Sequence, residues 1–175
     1  GTLINQCPHS LDMLCYLFGR PEEVFGVCHE GKYHDIEVED EVTAYLSWHN
    51  GVTGVFVAST GETPGVNRLE ISFEKAVVVC SKETIEIIEN EHHESYYRKL
   101  DMKQFKEPTP TYSKLTFQPD QGKGYLSILD NFKRVIMGVI EPYATGEESL
   151  DSLYLANAIY LSNAQKKMVK FYPIS

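Results

Sequence analysis

Val42-Thr-Ala-Tyr-Leu-Ser-Trp-His-Asn-Gly-Val-Thr-Gly-Val-Phe-Val-Ala58 is the stretch on which the fold turns. Val42, Ala44, Leu46 and Trp48 alternate with Thr43, Tyr45, Ser47 and His49. A period of two puts the apolar set on one face of a strand. Asn50-Gly51 follows, the dipeptide best suited to a tight hairpin turn. The chain then returns as a second strand from about Val52 to Ala58. The pair predicts an antiparallel sheet with one packed face.

The same signals recur on both sides. Leu69, Ile71 and Phe73 alternate with Arg68, Glu70 and Ser72. Val77 to Cys80 and Thr84 to Ile88 form a further pair around Ser81-Lys82-Glu83. An earlier strand is expected from Val24 to His29, a later one from Lys114 to Phe117, and a short last one from Val169 to Tyr172. Helices are expected at three places. Leu11, Leu14, Cys15 and Phe18 stand at offsets 0, 3, 4 and 7, with Pro8 in the first turn and Gly19 and Pro21 at the end. Ile128, Leu129, Phe132, Val135 and Ile136 stand at offsets 0, 1, 4, 7 and 8 before Gly138. Thr145-Gly-Glu-Glu148 is a capping box ahead of Leu150, Leu153, Tyr154, Ala158 and Leu161, so a helix should run to about Lys167. The stretch from Asp101 to Tyr112, with Pro108 and Pro110, reads as a loop. The fold class is α+β, one large and mostly antiparallel sheet, open on one face, with about three helices on the other.

Composition narrows the function. The 175 residues carry 16 Lys and Arg against 25 Asp and Glu, a net charge of −9. That balance disfavours nucleic acid and anionic membrane surfaces as partners, since both need a basic face. No apolar run reaches the ~18–20 residues of a spanning helix. One domain over residues 1–175 is the expectation at this length. Cys7, Cys15, Cys28 and Cys80 form no C-x-x-C pair, so reduced thiols in a cytoplasmic protein are expected.

Polar chemistry concentrates at the start of the chain. Asn5, His9 and Asp12 are spaced i, i+4 and i+7, which is one face if the turn is already helical at Asn5. Histidine is suited to take a proton near neutral pH, and a nearby carboxylate can orient it. The competing reading is a histidine that caps a helix start. The run His29, His34, Asp35, Glu37, Glu39, Asp40 and Glu41 could offer metal ligands, but a solvated acidic loop is the expectation, and no metal is assigned. Gly122-Lys-Gly124 lacks the further glycine and the flanking strand of a dinucleotide turn.

Gly1-Thr-Leu-Ile-Asn-Gln-Cys-Pro-His-Ser-Leu-Asp-Met-Leu14 resembles the opening of the second domain of the Gfo/Idh/MocA family of NAD(P)-dependent oxidoreductases. The resemblance continues through Lys32 to Leu46, Ser59 to Gly65, Asn67 to Ile71, Gly146-Glu-Glu148 and Leu155 to Ser162. It covers most of the chain in order. It implies a C-terminal domain of the dihydrodipicolinate-reductase-like kind, whose N-terminal Rossmann domain is absent from this chain. NAD or NADP would be bound mainly by that other domain. The family's Glu-Lys-Pro motif belongs there too, so no cofactor is expected on this chain and it should be inactive alone. Carried over, His9 would be the catalytic base that takes a hydroxyl proton from a sugar, a polyol or a related small molecule. Asn5, Asp12, Glu62 and Thr63 would contact the substrate. Many members have Asp where this chain has Asn5, and asparagine cannot ionise. The free sheet face would pair subunits into a homodimer or homotetramer. The alternative is a ligand-binding or dimerisation module without redox chemistry.

Overall fold

The computed structural model describes residues 1–100, 108–118 and 123–171. The elements run α1 (Thr2–Asn5), α2 (Pro8–Phe18), β1 (Glu23–Glu30), β2 (Glu39–Ser47), β3 (Thr53–Ser59), β4 (Arg68–Ser72), β5 (Ala76–Ser81), β6 (Thr84–Glu89), α3 (Glu94–Arg98), β7 (Thr111–Thr116), α4 (Lys123–Ile136), α5 (Gly146–Gln165) and β8 (Val169–Lys170). The α+β class and the antiparallel pairing hold. The described strands form two four-stranded sheets, β3-β2-β1-β8 and β4-β5-β6-β7. Pairing lapses between β3 and β4, where Gly61, Pro64 and Gly65 cannot sustain a ladder. Five helices stand where about three were expected; the additions, α1 and α3, span four and five residues and are too short for an amphipathic period to reveal. Most of the loop expected from Asp101 lies outside the described residues.

The chain divides into two compact units, Gly1–Thr63 with Asn131–Ser175, and Pro64–Asp130. The first is organised on β1, β2 and β3. Register places Val24, Leu46 and Gly54 in one row, Gly26, Ala44 and Phe56 in the next, and Cys28, Val42 and Ala58 in a third. Those rows share a face, and α5 packs against it. Leu3, Leu11, Val24, Val42, Leu155 and Ile159 are buried there without exposure. Gly26 is needed because a Cβ would stand 2.8 Å from the Ile159 carbonyl oxygen and 3.1 Å from its Cα.

The turn between β2 and β3 confirms the hairpin. Gly51 takes φ +83°, a conformation glycine adopts at little cost, and Trp48 N–H donates to Val52 O at 2.9 Å. At the other edge β8 pairs with only Glu23 and Val24. Beyond it, side chains of α5 take over the ladder. Ser162 Oγ accepts from Gly26 N–H at 2.9 Å and Asn163 Oδ1 from Cys28 N–H at 3.1 Å. Two donors that would otherwise be orphaned are thereby satisfied. The capping box at α5 forms as expected, with Thr145 and Glu148 bonded reciprocally.

The second unit holds β4 to β7 in consecutive antiparallel pairs. Lys82 turns the β5–β6 connection at φ +50°. His92 and His93 precede α3, and the His92 ring lies tilted against Tyr96 with centroids 4.2 Å apart.

Candidate functional site

The candidate site is built on the first unit, from the break between α1 and α2. Pro8 has no N–H and cannot extend α1. The chain closes α1 with Gln6 N–H on Thr2 O at 2.9 Å and Cys7 N–H on the same oxygen at 3.1 Å. It restarts at Pro8, with Leu11 N–H on Cys7 O at 2.9 Å. The condition for one shared face is therefore not met. Asn5 ends one helix, while His9 and Asp12 lie three apart at the start of the next. All three side chains are exposed. Among the described residues none of them has a hydrogen-bond or ion-pair partner. No side chain caps α2, so His9 is not spent as a helix cap.

The platform beneath is fixed by a buried carboxylate. Glu39, 5% exposed, accepts from Leu3 N–H at 2.9 Å and Tyr160 O–H at 2.6 Å. Thr2 Oγ donates to the Glu39 carbonyl at 3.0 Å. Burial alone would raise the Glu39 pKa, but Tyr160, the Leu3 amide and other donors outweigh it and lower it. Burial and the same contact push the Tyr160 hydroxyl well up. So α1 is nailed to the start of β2, and α2 follows from α1 after two residues.

The next residue anchors a loop. Asp40 has no exposed surface. Its carboxylate accepts from the amides of Lys32 at 3.0 Å, Tyr33 at 2.7 Å and His34 at 3.0 Å. These amides overcome the upward push of burial and bring its pKa down to about 2. Glu41 takes Tyr33 O–H at 2.7 Å and lies 2.5 Å from Lys32 Nζ and 3.2 Å from His29 Nδ1. The acidic run is a solvated loop only in part: His34, Asp35 and Glu37 are exposed as expected, whereas Glu39 and Asp40 are buried anchors. Among the described residues no group of three or more His, Cys, Asp or Glu is arranged to hold a metal. Burial raises the Cys7, Cys15 and Cys28 thiols to about 11, which favours the protonated thiol near neutral pH.

Glu62 and Thr63 lie exposed in the turn after β3. Gly61 in that turn is close against the Tyr33 ring, where a Cβ would sit 2.4 Å from Cγ. The turn and the 32–34 loop therefore touch. The start of β2 and the end of β3 are one end of the sheet, since Glu41 pairs with Ser59. That end carries α1, the 32–34 loop and the 59–63 turn. Sequence reasoning missed Glu39, Asp40 and Tyr160 as anchors. The available signal was acidic residues embedded at the start of an apolar strand, which a charge count reads as surface.

Comparison with known proteins gives one family match. Residues 1–171 match the model of the oxidoreductase family, C-terminal alpha/beta domain. Curated protein sequences give no match. Among solved structures, the chain is similar to the WlbA dehydrogenase from Bordetella pertussis, in complex with NADH and UDP-GlcNAcA, at 22% identity and a TM-score of 0.63, covering 100% of this chain and 46% of that one. It is similar to levoglucosan dehydrogenase, in complex with NADH and levoglucosan, at 17% and 0.73, covering 99% and 50%. It is also similar to an NAD-binding protein from Listeria innocua at 17% and 0.68, covering 97% and 47%. The chain spans about half the length of these structures. No helix among the described residues is long and apolar enough to cross a membrane.

Proposed function

The chain belongs to the Gfo/Idh/MocA oxidoreductase family, as its C-terminal alpha/beta domain, and from that premise we propose that it is the substrate-binding and assembly domain of a cytoplasmic NAD(P)-dependent dehydrogenase acting on a sugar, a polyol or a related hydroxyl-bearing small molecule. The observation that carries the reading is His9. Its ring is exposed in the first turn of α2, on an entry segment fixed from below by Glu39 and Leu11. A histidine so placed costs nothing to the fold and is free to work on a ligand.

In this reading His9 takes the proton of the reacting hydroxyl through its ring nitrogen. Asn5, before it in the chain, and Asp12, three residues on, bind neighbouring hydroxyls, Asn5 as donor or acceptor and Asp12 as acceptor. Glu62 and Thr63 add contacts from the turn after β3. A nicotinamide, where bound, supplies the hydride acceptor; its binding is assigned to the half of the protein outside this chain. The ligands of the sugar-type neighbours support the substrate class.

The test is His9→Ala in the full-length protein. General-base removal is expected to lower turnover by about 10²–10⁴-fold, with dinucleotide affinity unchanged by fluorescence titration. Unchanged turnover would remove His9 from the chemistry and the reading with it.

A further inference from the structure

The loop anchored by Asp40 presents a second histidine whose hydrogen bonds fix its tautomer. His34 Nδ1 lies 3.4 Å from Asp40 Oδ2 and 3.2 Å from Thr60 Oγ1. Asp40 is a carboxylate and can only accept. Thr60 has one hydroxyl proton, and its oxygen lies 3.3 Å from the Asp40 carbonyl, to which it donates. With its proton turned to that carbonyl, Thr60 Oγ1 presents a lone pair to His34, so both neighbours of Nδ1 can accept from it. Asp40 Oδ2, which cannot donate, selects the form of the neutral ring with the hydrogen on Nδ1, and Nε2 is then a bare lone pair. The side chain is 48% exposed, and Nε2 has no partner among the described residues.

The position is as informative as the tautomer. Asp40 directly follows Glu39, which fixes α1, and Thr60 directly precedes the turn of Glu62 and Thr63. The loop touches that turn through Tyr33 and Gly61. His34 thus stands at the end of the sheet that carries the candidate site. We propose that His34 is a specificity-determining residue of that site, accepting a hydrogen bond from a ligand hydroxyl through Nε2. This rests on the reading of the ligand as hydroxyl-bearing. A bare Nε2 favours ligands that donate, such as polyols and sugars, over anions that can only accept.

The experiment uses the full-length protein labelled with ¹⁵N at histidine, with His34→Phe and His9→Ala to assign the two rings. Long-range ¹H–¹⁵N spectra at a pH where the ring is neutral are expected to show His34 protonated on Nδ1. An Nε2-protonated ring would overturn the proposal. The protein is then titrated with D-glucose, myo-inositol and D-xylose. At least one probe is expected to shift both His9 and the His34 Nε2 signal. A probe that moves His9 but leaves His34 unmoved overturns this proposal alone. If no probe moves either ring, the hydroxyl-bearing ligand class fails and this proposal falls with it. Under turnover of a probe that binds, His34→Phe is expected to raise KM about tenfold, the loss of one hydrogen bond, with kcat little changed. An unchanged KM would also overturn it.

Discussion

Asp40 is charged in the fold because three amides and a histidine ring replace the water it loses. That arrangement has a sign in pH. Its pKa falls from an ordinary 3.8 to about 2, so the folded state holds its proton less tightly than the unfolded chain does. The stabilisation is fully present above about pH 4 and is lost as pH falls towards 2. Glu39, also lowered, adds to the loss on the same side. Thermal unfolding followed down through that range should show a steep fall in Tm for the unaltered chain. Asp40→Asn should begin lower at neutral pH, because an amide supplies one acceptor oxygen where the carboxylate supplies two, and its curve should be flatter below about pH 4. Parallel curves would show that Asp40 does not carry the acid sensitivity. At this scale the sequence was half legible. His9, Asn5 and Asp12 stand out by type and spacing, but the break at Pro8 takes Asn5 off the face that the spacing assumed. Glu39 and Asp40 were misread because charge says nothing about burial, and their partners lie in α1, the 32–34 loop and α5.

Elements were legible in proportion to how much of their stability is local. The hairpin at Asn50-Gly51 and the capping box at Thr145 depend on a few adjacent residues, and both formed where the pattern placed them. Replacing Thr145 by Ala removes the acceptor for Glu148 N–H and should cost about 1 kcal/mol. For a chain of this size that is roughly 2–4 °C in Tm. α1 was invisible for the opposite reason. A four-residue helix cannot persist on its own, and this one exists because Glu39 holds the Leu3 amide. The contact of β1 with α5 was equally hidden, since Gly26 reads as a weak point in a strand. It is a close approach, with Ile159 backbone at 2.8 Å from a would-be Cβ. Gly26→Ala is therefore expected to destabilise by about 1–3 kcal/mol through overpacking, despite the better strand propensity of alanine. A denaturant midpoint equal to that of the unaltered chain would contradict the close packing.

At the scale of the whole molecule, the face of the first sheet opposite α5 remains to be accounted for. Its rows are Phe25, Tyr45 and Val55, then Val27, Thr43 and Val57. Val55 is 68% exposed and Val57 56%. A sheet face that met only water would alternate polar residues there, and a contiguous apolar patch on a protein surface marks an interface. A second copy fits such a face, because a two-fold axis through it sets each row against its own equivalent. The homodimer or homotetramer proposed for this domain is therefore expected to pair subunits through β1, β2 and β3. Symmetry makes the test sharp: one charge placed near the axis faces its own copy. Val55→Glu combined with Val57→Glu should give a monomer in sedimentation velocity, while far-ultraviolet circular dichroism stays unchanged because neither side chain is in the core. The unaltered protein should sediment as a dimer or tetramer at the same concentration. A monomeric unaltered protein, or a double variant that still assembles, would move the interface elsewhere and leave this face for a different partner.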